Sequence, residues 1–252
     1  MASSTDAPLA IVLAAGKGTR MKSDLPKVLV PVAGRPMVRY VIDALQGAGI
    51  DQIVVVVGYR ADLVRAELQD VAGIEFAVQD QQLGTGHAVM ACRNRLASHS
   101  GPVVIVAGDS PMLQSESVRR LVDELGTCHA DCLLGSVYRD DPTGYGRIVR
   151  DAAGRFAGIV EQKDATPEQI AIQEVNVSTY AFDAAALLWS LQRLRADNSQ
   201  AEYYITDCPG LLLAAGRTVD ALPILKPCEA LSVNDVEELA AVERELFRGQ
   251  AG

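Results

Sequence analysis

The segment from Leu13 to Met21 places small residues and cations directly after an apolar run. Its two glycines, Gly16 and Gly18, can bring backbone N–H groups close to a phosphate. Two familiar phosphate-binding motifs do not fit. A dinucleotide-binding fingerprint needs a third glycine where Met21 stands, and a P-loop needs serine or threonine after Lys17. Taken alone, the segment could equally be an ordinary turn between a strand and a helix.

An arginine and a lysine, Arg20 and Lys27, extend this segment. Arg20 offers a planar fork of donors to phosphate oxygens, and Lys27 offers a point charge. Each of them alone is typical of a solvated surface. Together beside a glycine-rich turn they indicate a site for a polyphosphate, whose charge must be offset before an anionic nucleophile can approach.

A carboxylate, Asp109, directly follows the apolar run 103–106 and two small residues. The carboxyl ends of strands in an open α/β sheet face the ligand crevice. A carboxylate there would repel phosphates unless a cation lay between them, and Mg²⁺ is usually held by one or two protein oxygens plus phosphates and waters. The alternative is that Asp109 only caps a turn. Asn234, just before the last predicted helix, has the features of a helix N-cap.

These side chains require a framework of alternating strands and helices. The almost fully apolar run 8–14 predicts a strand covered on both faces, and the apolar spacing of 36–48 predicts a helix. The same patterns continue along the chain, with predicted strands at 53–57, 74–78 and 103–106 and helices at 61–70, 85–97 and 115–125. This alternation predicts an α/β fold with a doubly wound, mostly parallel, Rossmann-like sheet.

The pattern changes after about residue 138. Four glycines, Gly144, Gly146, Gly154 and Gly158, separate short β-like runs at 147–150 and 156–159, which predicts hairpins built onto the main sheet. The charged stretch 161–168 is interpreted as a loop. The remaining predicted elements are strands at 174–182 and 219–225 and helices at 183–195, 203–215 and 233–248.

Composition restricts the class of protein. Of the 252 residues, 49% are hydrophobic and 22% are charged, as in ordinary globular proteins. The net charge of −9 argues against nucleic acid as a partner, although a small anion can still bind to a few well-placed cations. No apolar run is long enough to span a membrane, and the polar start has no signal-peptide pattern. The five scattered cysteines are typical of a reduced protein, so we expect a cytoplasmic location.

The segments L13-A-A-G-K-G-T-R-M21 and L25-P-K27 resemble the opening of the sugar-1-phosphate nucleotidyltransferases. The resemblance is closer to the uridyltransferase half of the bacterial bifunctional enzymes that make UDP-N-acetylglucosamine. Further segments support it in the family's order across nearly the whole chain: Q79-D-Q-Q-L-G-T-G-H-A88, D141-P-T-G-Y-G-R-I148, G158-I-V-E-Q-K-D-A-T166, I172-Q-E-V-N176 and E202-Y-Y-I-T-D207.

This resemblance implies a Mg²⁺-dependent reaction in which UTP and N-acetylglucosamine 1-phosphate give a UDP-sugar and pyrophosphate. It also implies one domain over 1–252, with a tail at 1–7, a nucleotide-binding core at about 8–138, a β-hairpin lobe for the sugar with the remaining sheet at about 139–232, and a C-terminal helix at 233–249. Arg20 and Lys27 would be catalytic, and Asp109 and Asn234 would bind the metal. The implied substrate-binding residues are Leu13, Ala14, Ala15, Gly16, Lys27, Gln79, Gln82, Gly84, Thr85, Gly108, Gly146, Glu161, Asn176 and Thr206.

The chemistry of these residue types suits such substrates. A glutamine amide such as that of Gln79 can pair with the mixed edge of uracil, and Glu161 can accept hydrogen bonds from sugar hydroxyls. Other interpretations remain for single residues: Thr85 as a helix N-cap, Glu161 as a surface acid. His87 is interpreted as structural, because no serine or cysteine nucleophile pairs with it and His99 and His129 give no metal-ligand spacing.

The chain also departs from the family. It has V177-S-T179 where the family usually has Thr-Gly, Ala107 where a well-known member has tyrosine, and Gln162 in place of a common histidine. It contains no hexapeptide repeat, so no acetyltransferase half is expected within it. The alternatives are a nucleotidyltransferase for another nucleotide, sugar phosphate or alditol phosphate, and a nucleotide-sugar-binding protein without turnover. The sequence does not predict the oligomeric state.

Overall fold

The structure is a computed structural model and describes residues 7–21 and 23–250. Of the tail predicted at 1–7, residues 1–6 lie outside this part of the chain. The strands are β1 (Leu9–Ala14), β2 (Pro31–Val32), β3 (Arg35–Pro36), β4 (Gln52–Val57), β5 (Ile74–Val78), β6 (Pro102–Ala107), β7 (Cys132–Tyr138), β8 (Gly146–Arg150), β9 (Phe156–Val160), β10 (Glu174–Asp183) and β11 (Val219–Leu222). The α-helices are α1 (Met37–Gly47), α2 (Ala61–Glu67), α3 (Thr85–Met90), α4 (Arg93–Ala97), α5 (Ser115–Thr127), α6 (Pro167–Ile170), α7 (Ala184–Leu191), α8 (Asp207–Ala214) and α9 (Val236–Gln250).

Within the described residues, the main sheet has the strand order β11-β7-β10-β6-β1-β4-β5, and the hairpin β8–β9 branches from β10. Strand β1 pairs in parallel with β4 and β6, and β4 pairs in parallel with β5. Strand β10 is antiparallel to both β6 and β7. The prediction of a doubly wound, mostly parallel α/β sheet with an added hairpin is therefore confirmed.

Helices cover both faces of the sheet, which explains why its central strands are apolar throughout. In β1, Leu9 and Ile11 belong to one buried cluster, together with residues of α3, α7 and α8. The intervening residues Ala10 and Val12 belong to a second cluster, with residues of α1 and α5. Alternate side chains of one strand thus enter two cores, as expected for a sheet buried on both sides.

Several predicted boundaries were wrong. Strand β7 was not predicted, because Gly135 and Ser136 interrupt its apolar run; in the structure a Cβ on Gly135 would lie 2.9 Å from the Leu225 side chain. The predicted helix 85–97 is divided into α3 and α4, with non-helical backbone at Cys92 (φ −91°, ψ 2°). Helix α7 ends before 195, and α9 begins at Val236 instead of 233.

Two other corrections have clear causes. Residues 203–206 were predicted as helix, but the Tyr203 backbone is hydrogen-bonded to Leu83 and Gly86, so α8 begins at Asp207. The predicted loop 161–168 contains a 3-10 helix and the start of α6, where Thr166 and Gln169 form a capping box. Among the described helices, none is long and apolar enough to cross a membrane.

A buried ion pair joins the hairpin to the main sheet. The guanidinium of Arg150 in β8 donates two hydrogen bonds of 2.7 Å to the carboxylate of Glu174 in β10, whose side chain is 4% exposed. Ser136 in β7 donates a third, of 2.6 Å, to the same carboxylate. Because β8 and β10 also pair through Asn176 and Gly146, this ion pair fixes the hairpin at the edge of the cavity described below.

The variant Arg150→Ala leaves the Glu174 carboxylate buried without its counter-charge. We expect it to lower the free energy of unfolding by about 3–5 kcal/mol, the range for breaking one side of a buried pair. Urea denaturation measures this change. The control is Arg155→Ala, which removes a guanidinium that is 80% exposed and should cost at most about 1 kcal/mol. Equal losses in the two variants would contradict the structural role of the pair.

Candidate active site

A cavity of about 550 Å³ opens at the carboxyl ends of the central strands, a volume typical of small-ligand sites. It extends from the glycine-rich segment after β1 to the hairpin β8–β9. Most of the predicted site residues lie around it: Leu13, Ala15, Gly16, Lys27, Gln79, Gln82, Gly84, Thr85, Asp109, Gly146, Glu161, Asn176 and Asn234.

The glycine-rich segment folds back on itself and so positions Lys27. Gly18 has φ +66°, in the left-handed region that favours glycine. A Cβ at this position would lie 2.8 Å from the Lys27 Cβ, so the close approach of the two residues also requires glycine. Short 3-10 helices at Thr19–Met21 and Lys27–Leu29 follow the segment, instead of the long helix of a dinucleotide-binding motif.

Four predicted polar residues meet at one end of the cavity. The ammonium of Lys27 forms an ion pair with Asp109 and donates a hydrogen bond of 2.6 Å to Asn234 Oδ1. The guanidinium of Arg20 donates to the same oxygen at 3.1 Å. The side chains of Lys27 and Asp109 are only 15% and 19% exposed, so water screens their charges incompletely. Residues distant in sequence thus form one charged cluster.

The oxygens of Asp109 and Asn234 fit Mg²⁺. One is a carboxylate oxygen, the other is an amide oxygen, and both already contact a single cation, the Lys27 ammonium. Within residues 7–21 and 23–250 no group of three or more histidine, cysteine or acidic residues could hold a metal. Two protein oxygens are few for a metal bound by protein alone, but they suit Mg²⁺ that also binds phosphate oxygens and water.

The start of α9 holds Asn234 in place. Asp235 accepts from the backbone of Glu237 and Glu238, and the Glu238 carboxylate accepts from the Asn234 N–H at 2.6 Å. The helix is therefore capped by Asp235, and the N-cap interpretation of Asn234 was wrong; its side-chain oxygen is available for the cluster. The Val233 N–H also donates to the Asp109 carbonyl at 3.3 Å, which ties the two segments together.

The loop 79–86 forms the second part of the cavity. Gly84 has φ +100°, and a Cβ there would lie 2.6 Å from the Tyr203 carbonyl oxygen. Gln82 donates a hydrogen bond of 2.8 Å to the Ala15 carbonyl and so joins this loop to the glycine-rich segment. Thr85 was interpreted as a possible N-cap, but Gly84 occupies that position, and the Thr85 hydroxyl accepts from the Ile205 N–H instead.

The third part of the cavity lies at the hairpin. Asn176 pairs with Gly146 across the strands. The side-chain nitrogen of Asn176 donates to the Tyr180 hydroxyl at 2.8 Å, and its oxygen accepts from the Ser178 N–H at 3.3 Å. Ser178 has φ +59°, and the pairing of β10 with β7 shifts register here. The chain thus holds serine in a left-handed backbone conformation at a position where the family that it resembles usually has glycine.

The carboxyl group of Glu161 lies at the same end of the cavity. Burial raises its pKa above the usual value for glutamate, and a hydrogen bond with Thr206 partly offsets this shift. The nearby acids Asp207 and Asp164 raise the pKa further. The ionised form of Glu161 is therefore held in an unfavourable environment, which a ligand hydroxyl donating to it would improve.

Four predicted residues do not line the cavity. Ala14 is buried in the core, and the Gly108 N–H is hydrogen-bonded to the Leu13 carbonyl. Arg20 is exposed and reaches the cluster through Asn234, and Thr206 contacts Glu161 from a second cleft. The lining residues that sequence reasoning missed include Ser110, Ser178, Glu202, Glu229, Ser232 and Glu238. Of these, Glu238 had a usable signal, since it is an acid near the start of the predicted helix 233–248, and in the structure it is the third residue of α9.

The sequence of this chain is similar to those of known proteins. The family model described as MobA-like NTP transferase domain matches residues 10–175. The bifunctional protein GlmU of Pelotomaculum thermopropionicum is 43% identical over 239 residues, and that of Solibacter usitatus is 45% identical over 243. These alignments cover 95% and 96% of this chain and 52% of each relative, so the chain spans about half the length of the curated relatives that it matches.

Solved structures show the same fold at low identity. A UDP-glucose pyrophosphorylase complexed with UDP-glucose superposes with a TM-score of 0.78 at 15% identity, covering 96% of this chain and 99% of that one. A putative glucose-1-phosphate thymidylyltransferase from Bacillus anthracis gives a TM-score of 0.78 at 20% identity, covering 95% of each chain. The resemblance drawn from the sequence motifs is confirmed.

The raised pKa of Glu161 gives a stability test. The folded state binds the Glu161 proton more tightly than the unfolded state. Glu161 therefore stabilises the fold below its unfolded pKa of about 4.5, and this stabilisation is lost as the pH rises through the higher pKa of the folded state. We expect Glu161→Gln to raise the melting temperature relative to the wild type at about pH 8 and much less at about pH 4. Thermal unfolding over this range measures it, with exposed Glu237→Gln as control. A gain independent of pH would contradict the assignment.

Proposed function

Because this chain belongs to the family of MobA-like NTP transferase domains, we propose that it transfers a uridylyl group from UTP to N-acetylglucosamine 1-phosphate. The products are UDP-N-acetylglucosamine and pyrophosphate. The observation that carries the proposal is the cluster of Arg20, Lys27, Asp109 and Asn234 at one end of a cavity that reaches the hairpin. The motifs of the uridyltransferase half and the similarity to GlmU proteins support the choice of substrates.

The chemical step is an in-line substitution at phosphorus. An oxygen of the sugar phosphate attacks the α-phosphorus of UTP, a new P–O bond forms, and the bond to pyrophosphate breaks. The nucleophile is already an anion at neutral pH, so no general base is required. The work of the protein is to align two anions and to offset the charge on the α-phosphate and the leaving pyrophosphate. Lys27 and Arg20, which both donate to Asn234, are the cations that would offset this charge.

Asp109 and Asn234 would hold Mg²⁺, which supplies charge neutralisation to the phosphates when it is bound. The same two residues orient Lys27 in the structure, since its ammonium contacts both of their side-chain oxygens. Their acceptor atoms therefore serve cations of either kind. Either cation would then offset the negative charge of a phosphate chain bound beside Asp109 and Asn234.

The second and third parts of the cavity, at the loop 79–86 and at the hairpin, suit the two organic parts of the product. Gln79, Gly84 and Thr85 would receive the uracil base, and Gly146, Glu161 and Asn176 would receive the sugar. Glu161 can accept hydrogen bonds from hydroxyls, and Asn176 can both donate and accept. Because Gly146 has no side chain, the sugar could approach the backbone of β8 closely; a Cβ there would lie 3.5 Å from the carboxylate oxygens of Glu161.

The direct test is pyrophosphate release from purified protein with UTP and N-acetylglucosamine 1-phosphate, with and without Mg²⁺. A panel of other nucleoside triphosphates and of other sugar and alditol phosphates identifies the preferred pair. Release that requires UTP, the amino sugar phosphate and Mg²⁺ supports the proposal. Preference for another pair would redirect it, and tight UTP binding without any release would favour a binding protein.

Removal of either cation should slow the chemical step. We expect Lys27→Ala and Arg20→Ala each to lower kcat by about 10²–10³, the range for the loss of one electrostatic donor to the transition state. Steady-state pyrophosphate release measures it. The control is Arg248→Ala on α9, whose side chain is 77% exposed, and its kcat should equal that of the wild type. Wild-type turnover in Lys27→Ala would refute the role of Lys27.

The charge of Asp109 should set the requirement for metal. Asp109→Asn keeps the size of the side chain and removes its negative charge, so we expect the Mg²⁺ concentration for half-maximal activity to rise at least about tenfold. Binding of Mn²⁺ in the presence of UTP, followed by electron paramagnetic resonance, should weaken in parallel. Unchanged metal dependence in both measurements would remove Asp109 from the metal site.

A further inference from the structure

Gln79 is a buried glutamine whose side-chain amide has a fixed orientation. It follows β5, is 5% exposed and lines the cavity. Its Nε2 lies 3.0 Å from the Gly84 carbonyl oxygen and 3.2 Å from Nδ1 of His87. A backbone carbonyl can only accept hydrogen bonds, so the nitrogen end of the amide must face Gly84.

The orientation of the amide determines the role of the histidine. The Nε2 group that donates to Gly84 also faces His87 Nδ1, so that ring nitrogen must accept a hydrogen bond. A neutral imidazole with Nδ1 as acceptor carries its proton on Nε2. His87 thus holds one amide hydrogen of Gln79, and Gly84 holds the other.

The amide oxygen is what remains for a ligand. The described hydrogen bonds of the Gln79 amide both use Nε2, which has two hydrogens. Oε1, which only accepts, is therefore the part of the amide that Gln79 has left to offer a ligand in this part of the cavity. Uracil has an N3–H that can donate to such an oxygen. Cytosine instead has a lone pair at N3, which would repel the Gln79 oxygen.

We propose that His87 is a positioning residue that makes this cavity select a nucleobase with an imide N–H over cytosine. It acts by fixing the amide of Gln79 with its oxygen available to the base. The inference rests on the proposed function, in which this loop receives the base of the nucleotide. It gives His87, interpreted from the sequence as structural, a part in substrate choice.

The surroundings hold both partners of the amide firmly. His87 lies in the first turn of α3, and its ring packs against that of Tyr203 with centroids 6.3 Å apart. The backbone of Tyr203 accepts from the Gly86 N–H at 2.7 Å and donates to the Leu83 carbonyl at 2.8 Å. The loop that carries Gly84 is therefore fixed from both sides, so a flip of the amide would place two acceptor oxygens against each other.

The experiment compares the wild type with His87→Phe and His87→Asn. Phenylalanine keeps a ring beside Tyr203 and removes the acceptor. Asparagine places its Oδ1 at the same number of bonds from the backbone as histidine Nδ1 and can still accept. The measured quantity is the ratio of kcat/KM for UTP to that for CTP, with N-acetylglucosamine 1-phosphate as the second substrate.

In His87→Phe we expect this ratio to fall about five- to tenfold, the effect of losing one hydrogen bond that holds the amide. The KM for the sugar phosphate should not change. In His87→Asn the ratio should return to within about twofold of the wild type. An unchanged ratio in His87→Phe, or an equal loss of activity with UTP and CTP, would overturn the proposal and leave His87 a purely structural residue.

Two further measurements separate this inference from its premise. If the wild type releases no pyrophosphate with any substrate pair, the proposed function fails. The role of His87 is then tested by calorimetry, through the ratio of the dissociation constants for UTP and CTP instead of the ratio of kcat/KM values. If the Phe variant does not fold, ¹⁵N NMR of labelled histidine in the wild type decides. The Nε2–H tautomer is expected for His87, and the Nδ1–H tautomer would overturn the proposal.

Discussion

The proposed function depends on one electrostatic constraint: cations and a carboxylate must meet at the place where, in that proposal, several phosphate charges would be held. Lys27 satisfies the Asp109 carboxylate and the Asn234 oxygen at the same time, and Arg20 adds a second cation to that oxygen. Arg20 and Lys27 come from the segment after β1, whereas Asp109 and Asn234 come from two distant parts of the chain. The parallel sheet makes this possible, because it brings the ends of β1 and β6 side by side, with Leu13 paired to Ala107.

The C-terminal helix completes this arrangement through packing. Val233 and Val242 form a buried cluster with Met21, Val32 and Met37, so the segment before α9 packs against the glycine-rich segment and α1. This apolar contact, together with the cap at Asp235, brings Asn234 to the end of β6. The position of the Asn234 side-chain oxygen thus relies on an apolar core that directly adjoins the charged cluster.

Much of the fold and of the site could be predicted from the sequence, because both follow from local patterns. The apolar runs of the central strands predict a buried parallel sheet, and the motif around Gly16 and Lys27 predicts an anion site at its edge. The parts that could not be predicted depend on long-range contacts. Strand β7 forms because β10 and β11 flank it, although Gly135 and Ser136 weaken its local signal. The hydrogen bonds that assign His87 and Gln79 their roles leave no trace in residue spacing.

Two of the amide side chains that line the cavity, those of Gln79 and Asn176, differ in the hydrogen-bonding capacity that they would offer to a ligand. The nitrogen of Asn176 makes one hydrogen bond, to Tyr180, and its oxygen accepts one, from Ser178. Each end retains capacity, so Asn176 can both donate to and accept from a hydroxyl, which itself does both. Gln79 instead uses both hydrogens of its nitrogen within the protein and keeps only an acceptor. A hydroxyl rotates to suit either partner, whereas the edge of a base has a fixed pattern. Selection between nucleobases is therefore expected at Gln79, which offers only an acceptor. Asn176 offers both a donor and an acceptor, so it can bind a hydroxyl in either orientation.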